Sequence, residues 1–170
     1  NQKPRVFRLI EDQALINRLS FNNLGANDVS SRIKSNKPNG FLGVNIGPNK
    51  QTKNMLNDYL IGLKTFVEIA DYLTINISSP NTENLRKFHE ETKFDELIST
   101  IENEKKKLNT KIPIVIKISP DINDDQVEKI AEVLFRHDIK AIIVSNTTEE
   151  NREVLKNAQK NQRGGLSGKP

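Results

Sequence analysis

The sequence predicts an α/β fold built on a parallel sheet. Four short apolar runs rich in β-branched residues recur along the chain, at residues 41–46, 72–77, 112–118 and 140–144. Longer stretches with helical periodicity separate them, the alternation expected of repeated βαβ units. The runs are nearly continuous rather than alternating, as expected for strands covered on both faces. Such consecutive βα units fit an open doubly wound sheet or half of an eight-stranded barrel, and periodicity does not choose between them.

Ahead of the first run, residues 12–19 and 27–35 read as two short helices, the second ending near the turn-forming Pro38-Asn39-Gly40. Tyr59, Leu60, Leu63, Phe66 and Val67 then give a helical face with mixed three- and four-residue spacing. Phe94, Leu97, Ile98 and Ile101 repeat that pattern before the third run, and Val127, Ile130, Ala131 and Leu134 before the fourth. Asn123 or Asp124 suits the N-cap of the last helix, where a short side-chain oxygen accepts an orphan backbone N–H. Beyond Thr148 the chain turns polar; residues 149–162 read as one helix, and Gly164-Gly165-Leu166-Ser167-Gly168 as a flexible loop. No linker or low-complexity segment divides the chain, which predicts a single domain.

A chain of 170 residues can bury a core. Its apolar fraction of 35% lies below the roughly 45–50% of globular chains, a reference that also counts glycine. A modest core follows, or one completed by something absent. The net charge of +4 and a pI near 9.2 would suit an anionic partner. The basic residues are dispersed, however, and the one compact run, Lys105-Lys106-Lys107, follows Glu102 and Glu104 in a helical pattern and reads as a solvated face. No basic stripe interleaved with aromatics is present, so no nucleic-acid partner is expected. The lack of cysteine excludes disulfides, zinc-thiolate sites and cysteine nucleophiles. No apolar run approaches the roughly 20 residues that cross a bilayer, and the first residues do not read as a signal peptide, so the chain itself is expected to be soluble.

In parallel α/β folds the ligand lies at the carboxyl ends of the strands, so polar residues late in each run are the candidates. Every run supplies one: Asn45, Asn76, Lys117 and then Asn146-Thr147-Thr148. Burying such groups without partners costs roughly 1–3 kcal/mol each, and more for the lysine. A planar heterocycle with several carbonyl and N–H groups would satisfy them, because an amide offers both donor and acceptor. Lys117 adds a fixed positive charge suited to an electron-rich ring that accepts hydride. The plainer alternative is that the asparagines cap helices and pair with loop backbone. Ser79, within Ser78-Ser79-Pro80-Asn81-Thr82, reads by itself as a turn residue, and no hydrolase elbow surrounds it. His89 and His137 read as surface residues without a metal-ligand companion. Asp121, Asp124 and Asp125 lack the glycine and terminal glutamate of a calcium loop, and helix capping explains them. No metal site is expected.

A family resemblance runs through the whole chain. It is carried by Lys3-Pro4-Arg5-Val6-Phe7-Arg8, Ile16-Asn17-Arg18, Phe21-Asn22-Asn23, Gly43-Val44-Asn45-Ile46-Gly47, Asn76-Ile77-Ser78-Ser79-Pro80-Asn81-Thr82, Lys117-Ile118-Ser119-Pro120-Asp121, Ser145-Asn146-Thr147-Thr148 and residues 164–170. In these motifs the chain resembles the quinone-linked class of dihydroorotate dehydrogenase, which oxidises dihydroorotate to orotate in pyrimidine synthesis. The resemblance implies an FMN-binding (β/α)8 (TIM) barrel. It implies FMN contacts at Asn45, Asn76, Lys117, Ser145 and Gly168. It implies a dihydroorotate site formed by Asn17, Arg18, Leu19, Ser20 and Phe21 with Asn76, Asn81, Asn146 and Thr147. Ser79 matches the catalytic base that takes the C5 proton while hydride leaves C6, a role that requires a proton relay and a site closed to water. Val6 and Arg8 match the quinone entrance.

The cytosolic classes place a cysteine at the Ser79 position, which supports the quinone-linked class. The nearest enzymatic rival is another FMN barrel such as tRNA dihydrouridine synthase, which uses a catalytic cysteine, and the complete lack of cysteine argues against it; a non-catalytic α/β binding module is the alternative from another class. Ser20 stands where the family usually has glycine, and Ser145 where threonine is common. The family's membrane-associating N-terminal helices, its first two barrel strands and its last two, with the FMN phosphate site, find no match. Residues 1–170 are therefore expected to be the central part of one barrel, about four of its eight strands. The full-length protein is expected at the bacterial or mitochondrial inner membrane, and the 170 residues alone are expected to bind negligible FMN.

Overall fold

The computed structural model describes residues 3–49, 52–79, 85–137, 139 and 141–169. In chain order the elements are β1 (Val6–Leu9), β2 (Ala14–Asn17), α1 (Ala26–Ser35), β3 (Gly43–Ile46), α2 (Met55–Phe66), β4 (Tyr72–Asn76), α3 (Glu91–Lys107), β5 (Ile114–Lys117), α4 (Asp124–Arg136), β6 (Ala141–Ile143) and β7 (Gly165–Gly168). Strands β3, β4, β5 and β6 form a parallel sheet in that order, as their apolar runs predict. Among the described residues no strand pairs with the outer side of β3 or β6.

Register divides each strand into two faces. Ile46, Ile75, Ile116 and Ile142 lie side by side, as do Val44, Leu73 and Ile114. Most of this face joins one core with Tyr59, Leu63 and Phe66 of α2 and with Phe94, Leu97, Ile98 and Ile101 of α3. The four α3 side chains are fully buried, and each contributes roughly 1.5–3 kcal/mol of gross burial energy. On the opposite face Asn45 pairs with Thr74, and Asn76 with Lys117. The central strand β4 is buried on both faces, with Thr74 and Asn76 only 4% and 2% exposed.

Local chemistry fixes the helix ends. Asn54 caps α2 by accepting from the Asn57 N–H at 3.0 Å. Asn123 caps α4 in a reciprocal box: its side chain accepts from the Gln126 N–H at 2.9 Å, and its own N–H donates to the Gln126 side chain at 3.1 Å. Asp124 is thus the first residue of the helix rather than its cap. Asp121 clamps the loop after β6, accepting from the Thr148 hydroxyl and from the Glu149 N–H.

Four sequence expectations are corrected. Residues 12–19 hold β2 rather than a helix, joined to β1 by a short 3-10 turn at Ile10–Asp12. Leu15, Ile16 and Leu19 suit either period, but burial follows period two: Phe7, Leu9 and Ile16 turn inward while Val6 and Arg8 turn out. Residues 164–168 are not a flexible loop, because β7 pairs with β2 and completes an antiparallel sheet, β1-β2-β7. Residues 149–162 form turns instead of a helix. The Arg152 guanidinium ties them by donating to the carbonyls of Lys160, Gln162 and Gly164, and the Asp12 carboxylate accepts from the N–H groups of Lys156 and Asn157. Finally, neither histidine is a surface residue. His89 is 1% exposed, and His137 lies between Glu102 and Asp95 of α3, at 2.9 and 3.2 Å. Arg136 adds bonds to Glu91 and Asp95, so the end of α4 is fastened to α3 by charge.

Candidate active site

The carboxyl ends of β4, β5 and β6 converge. Parallel register sets Asn76 beside Lys117 and Lys117 beside Ile143, so the amide and the amine share one face at one level. Asn45 belongs to the same face one level below, paired with Thr74. A Cβ on Gly47 would lie 3.7 Å from the Phe21 ring and 3.8 Å from the Asn76 carbonyl. The segment after β2 thus folds over the end of β3 and reaches the end of β4.

Asn76 is held from two sides. Its carbonyl accepts from the Tyr59 hydroxyl at 2.7 Å, and its side-chain oxygen accepts from the Ser78 N–H at 3.0 Å and the Ser78 hydroxyl at 2.6 Å. Burial pushes the Tyr59 phenol far above its ordinary range, which keeps it a neutral donor. From the loop after β6, Asn146 donates to the Ser78 hydroxyl at 2.8 Å and accepts from the Thr147 N–H at 2.8 Å. Ser145 donates to the Asn146 carbonyl. Ser79, the residue after this network's hub, is 5% exposed.

The small sheet closes over this end. Thr148 and Leu166 exchange backbone hydrogen bonds at 3.1 and 2.7 Å, and Gly165 sits so close to Thr147 that a Cβ there would lie 1.8 Å from its hydroxyl oxygen. Only glycine allows that approach. Gly165 also pairs with Asn17, which places Asn17, Thr147 and Asn146 in one neighbourhood with Asn76.

Other candidates lie apart or are otherwise engaged. The Arg18 guanidinium stacks 4.7 Å from the Phe7 ring centroid and donates to Gln162, so it serves the small-sheet core. Leu19 is exposed, and Ser20 and Phe21 line a cleft of about 510 Å³ with Asn45 and Gly47 along the edge of β3. Ser20 adopts φ +60°, the left-handed region, which gives a physical reason for glycine at that position. Gly168 lies three residues along β7 from Gly165, roughly 10 Å at the usual strand rise. It lines a second cleft, of about 330 Å³, with Arg8, while Val6 is exposed on β1. Asn81, with Pro80 and Thr82, lies outside the described residues. Among the described residues no cluster of three His, Asp or Glu side chains could hold a metal ion, and no helix is long and apolar enough to cross a membrane. Sequence reading passed over Ser78 and the Tyr59 hydroxyl. The tandem serine was a visible signal, but only coordinates tell which hydroxyl turns into the network.

A family model described as Dihydroorotate dehydrogenase matches residues 1–170. Dihydroorotate dehydrogenase (quinone) of Actinobacillus pleuropneumoniae is 44% identical over 178 residues, covering 100% of this chain and 52% of the relative. The protein of that name from Rhizobium meliloti is 41% identical over 174 residues, covering 100% and 48%. Among solved structures, DHODH in complex with ferulenol from Eimeria tenella superposes with a TM-score of 0.92 at 36% identity, covering 100% of this chain and 52% of that one. The chain spans about half the length of the curated relatives it matches.

Proposed function

Because the chain belongs to the dihydroorotate dehydrogenase family, we propose that its 170 residues are the central part of a single barrel enzyme that oxidises dihydroorotate to orotate in pyrimidine biosynthesis and passes the electrons to a quinone. The observation that carries this reading is the register of β4 and β5. It sets an amide, Asn76, beside a cation, Lys117, at the strand ends, with Asn76 two residues before the buried Ser78 and three before the buried Ser79.

The donor set fits the pyrimidine edge of a flavin: an amide at Asn76, an amine at Lys117 and a second amide at Asn45, with the hydroxyl of Ser145 after β6. FMN held there, with Gly168, would supply the acceptor for the hydride that leaves dihydroorotate and the carrier of its electrons to the quinone. Lys117 contributes a fixed positive charge where negative charge develops. Asn17, Asn76, Asn146 and Thr147 orient the substrate, with Asn81 as a further contact and Ser20 and Phe21 covering the site. Ser79 takes the substrate proton. Its burial favours that role, because a serine hydroxyl is a weak base wherever water competes. Val6 and Arg8 on β1 stand at the quinone entrance, and helices outside these 170 residues would bring the enzyme to a membrane surface.

The test is steady-state oxidation of dihydroorotate by the full-length protein with a soluble quinone as acceptor. Orotate formation matched by quinone reduction is expected. Flavin-loaded protein that turns over neither would overturn the reading.

A further inference from the structure

Ser78 is completely buried at the end of β4, and the reaction outlined above gives it no task. Its hydroxyl stands between two amides, donating to the Asn76 side-chain oxygen at 2.6 Å and accepting from the Asn146 Nδ2 at 2.8 Å. Backbone groups that can only donate fix both amides. The Ser78 N–H faces the Asn76 Oδ1, and the Thr147 N–H faces the Asn146 Oδ1, so each of those atoms must be the oxygen. The protons in the chain therefore run one way, from Asn146 to Ser78 to Asn76.

Two consequences follow. With its Oδ1 held by Ser78, the Asn76 Nδ2 and both its hydrogens make no hydrogen bond among the described residues, on a side chain that shares its strand face with Lys117. The Ser78 hydroxyl, for its part, has its proton committed to Asn76 and an acceptor position committed to Asn146. Its proton points at an amide oxygen, which is too weak a base to take it on, so the chain is no proton relay and Ser78 is set apart from its neighbour Ser79.

We propose that Ser78 is a positioning residue for the substrate site. It couples the ends of β4 and β6 and holds Asn76 with its donors outward, ready for a ligand that offers carbonyl or carboxylate oxygen. This rests on the reading that Asn76 and Asn146 meet dihydroorotate. The same hydroxyl on a solvated loop would carry no such consequence; here both partners are strand-end amides.

The experiment titrates orotate into the full-length flavin-loaded protein, following the flavin spectrum, for the native protein, Ser78→Ala, Asn146→Ala and the double variant. Ser78→Ala is expected to weaken orotate binding about tenfold, the worth of one well-formed hydrogen bond, and to raise KM for dihydroorotate more than it lowers kcat. In the Asn146→Ala background the same change is expected to cost about threefold, because the Asn146–Ser78 bond is already gone and only the Ser78–Asn76 bond is left to break. Additive effects of the two substitutions, or unaltered binding in Ser78→Ala, would overturn the positioning role. Should Ser78→Ala not fold, the nearly isosteric Ser78→Cys, a weaker donor, must show an intermediate loss, and unaltered binding there overturns the role equally. Native flavin-loaded protein that binds no orotate would overturn the functional reading itself, an outcome distinct from native-like binding by the variants.

Discussion

Tyr59→Phe in the full-length protein isolates a single hydrogen bond at the heart of the site. The ring keeps its edge-on contact with Phe88, at a centroid distance of 6.0 Å and 81° between planes. Only the hydroxyl that donates to the Asn76 carbonyl at 2.7 Å is lost. Tyr59 is 0% exposed, so water does not replace the donor. Leaving a buried acceptor unsatisfied costs about 1–3 kcal/mol. The short distance and complete burial favour the middle to upper part of that range, about 2 kcal/mol, which shifts the unfolding equilibrium roughly 30-fold. Equilibrium unfolding in urea reads this directly: the midpoint should fall while the slope stays constant. A loss below about 0.5 kcal/mol at constant slope would refute the claim that this bond anchors the strand end. Because the carbonyl belongs to Asn76, KM for dihydroorotate should rise in parallel.

Three further outcomes are expected. Burial disfavours charge on His137, but hydrogen bonds to Glu102 and then Asp95 outweigh it and raise its pKa above the ordinary 6.5. Its stabilising contribution is therefore complete below that value and fades as pH rises through the higher folded one; His137→Gln should flatten stability against pH from 6 to 8, and an unaltered pH dependence would exclude the clamp. Ser20→Gly relieves a left-handed residue worth about 1–2 kcal/mol, offset by the greater unfolded-state freedom of glycine, about 0.4–1 kcal/mol. A net gain of about 0.5–1 kcal/mol in thermal or urea unfolding is expected, and a loss would contradict it. The purified 170-residue chain should be colourless and unable to reduce a dye with dihydroorotate, since among the described residues both edges of its parallel sheet are unpaired; a yellow, active preparation would show the opposite.

Much of this architecture is legible in the sequence because burial writes it there. The four runs become the four parallel strands, and Phe94, Leu97, Ile98 and Ile101 are the buried face of α3 as their spacing predicts. The failures share a cause: close backbone approach and charge pairing leave little mark in hydrophobic period. β7 is glycine-rich because Gly165 abuts Thr147 and Gly168 abuts Ala14, yet a glycine run reads as a loop. β2 reads as a helix because four residues of a half-buried strand carry too few apolar positions to separate two periods from three or four. His137 follows a polar helix pattern, and only tertiary folding brings Glu102 and Asp95 to its ring nitrogens. The strand-end candidates Asn76, Lys117, Asn146 and Thr147 could be chosen by position, whereas the proton order through Ser78 depends on angles and distances that no sequence pattern encodes.

The central claim is that these strand ends oxidise dihydroorotate with Ser79 as the base. Anaerobic mixing of dihydroorotate with the full-length flavin-loaded protein, followed by loss of flavin absorbance, tests it most directly. Ser79→Ala should slow that bleaching by about 10²–10⁴-fold, the usual worth of a positioned base, while orotate still binds. Bleaching at the native rate in Ser79→Ala would contradict the assignment.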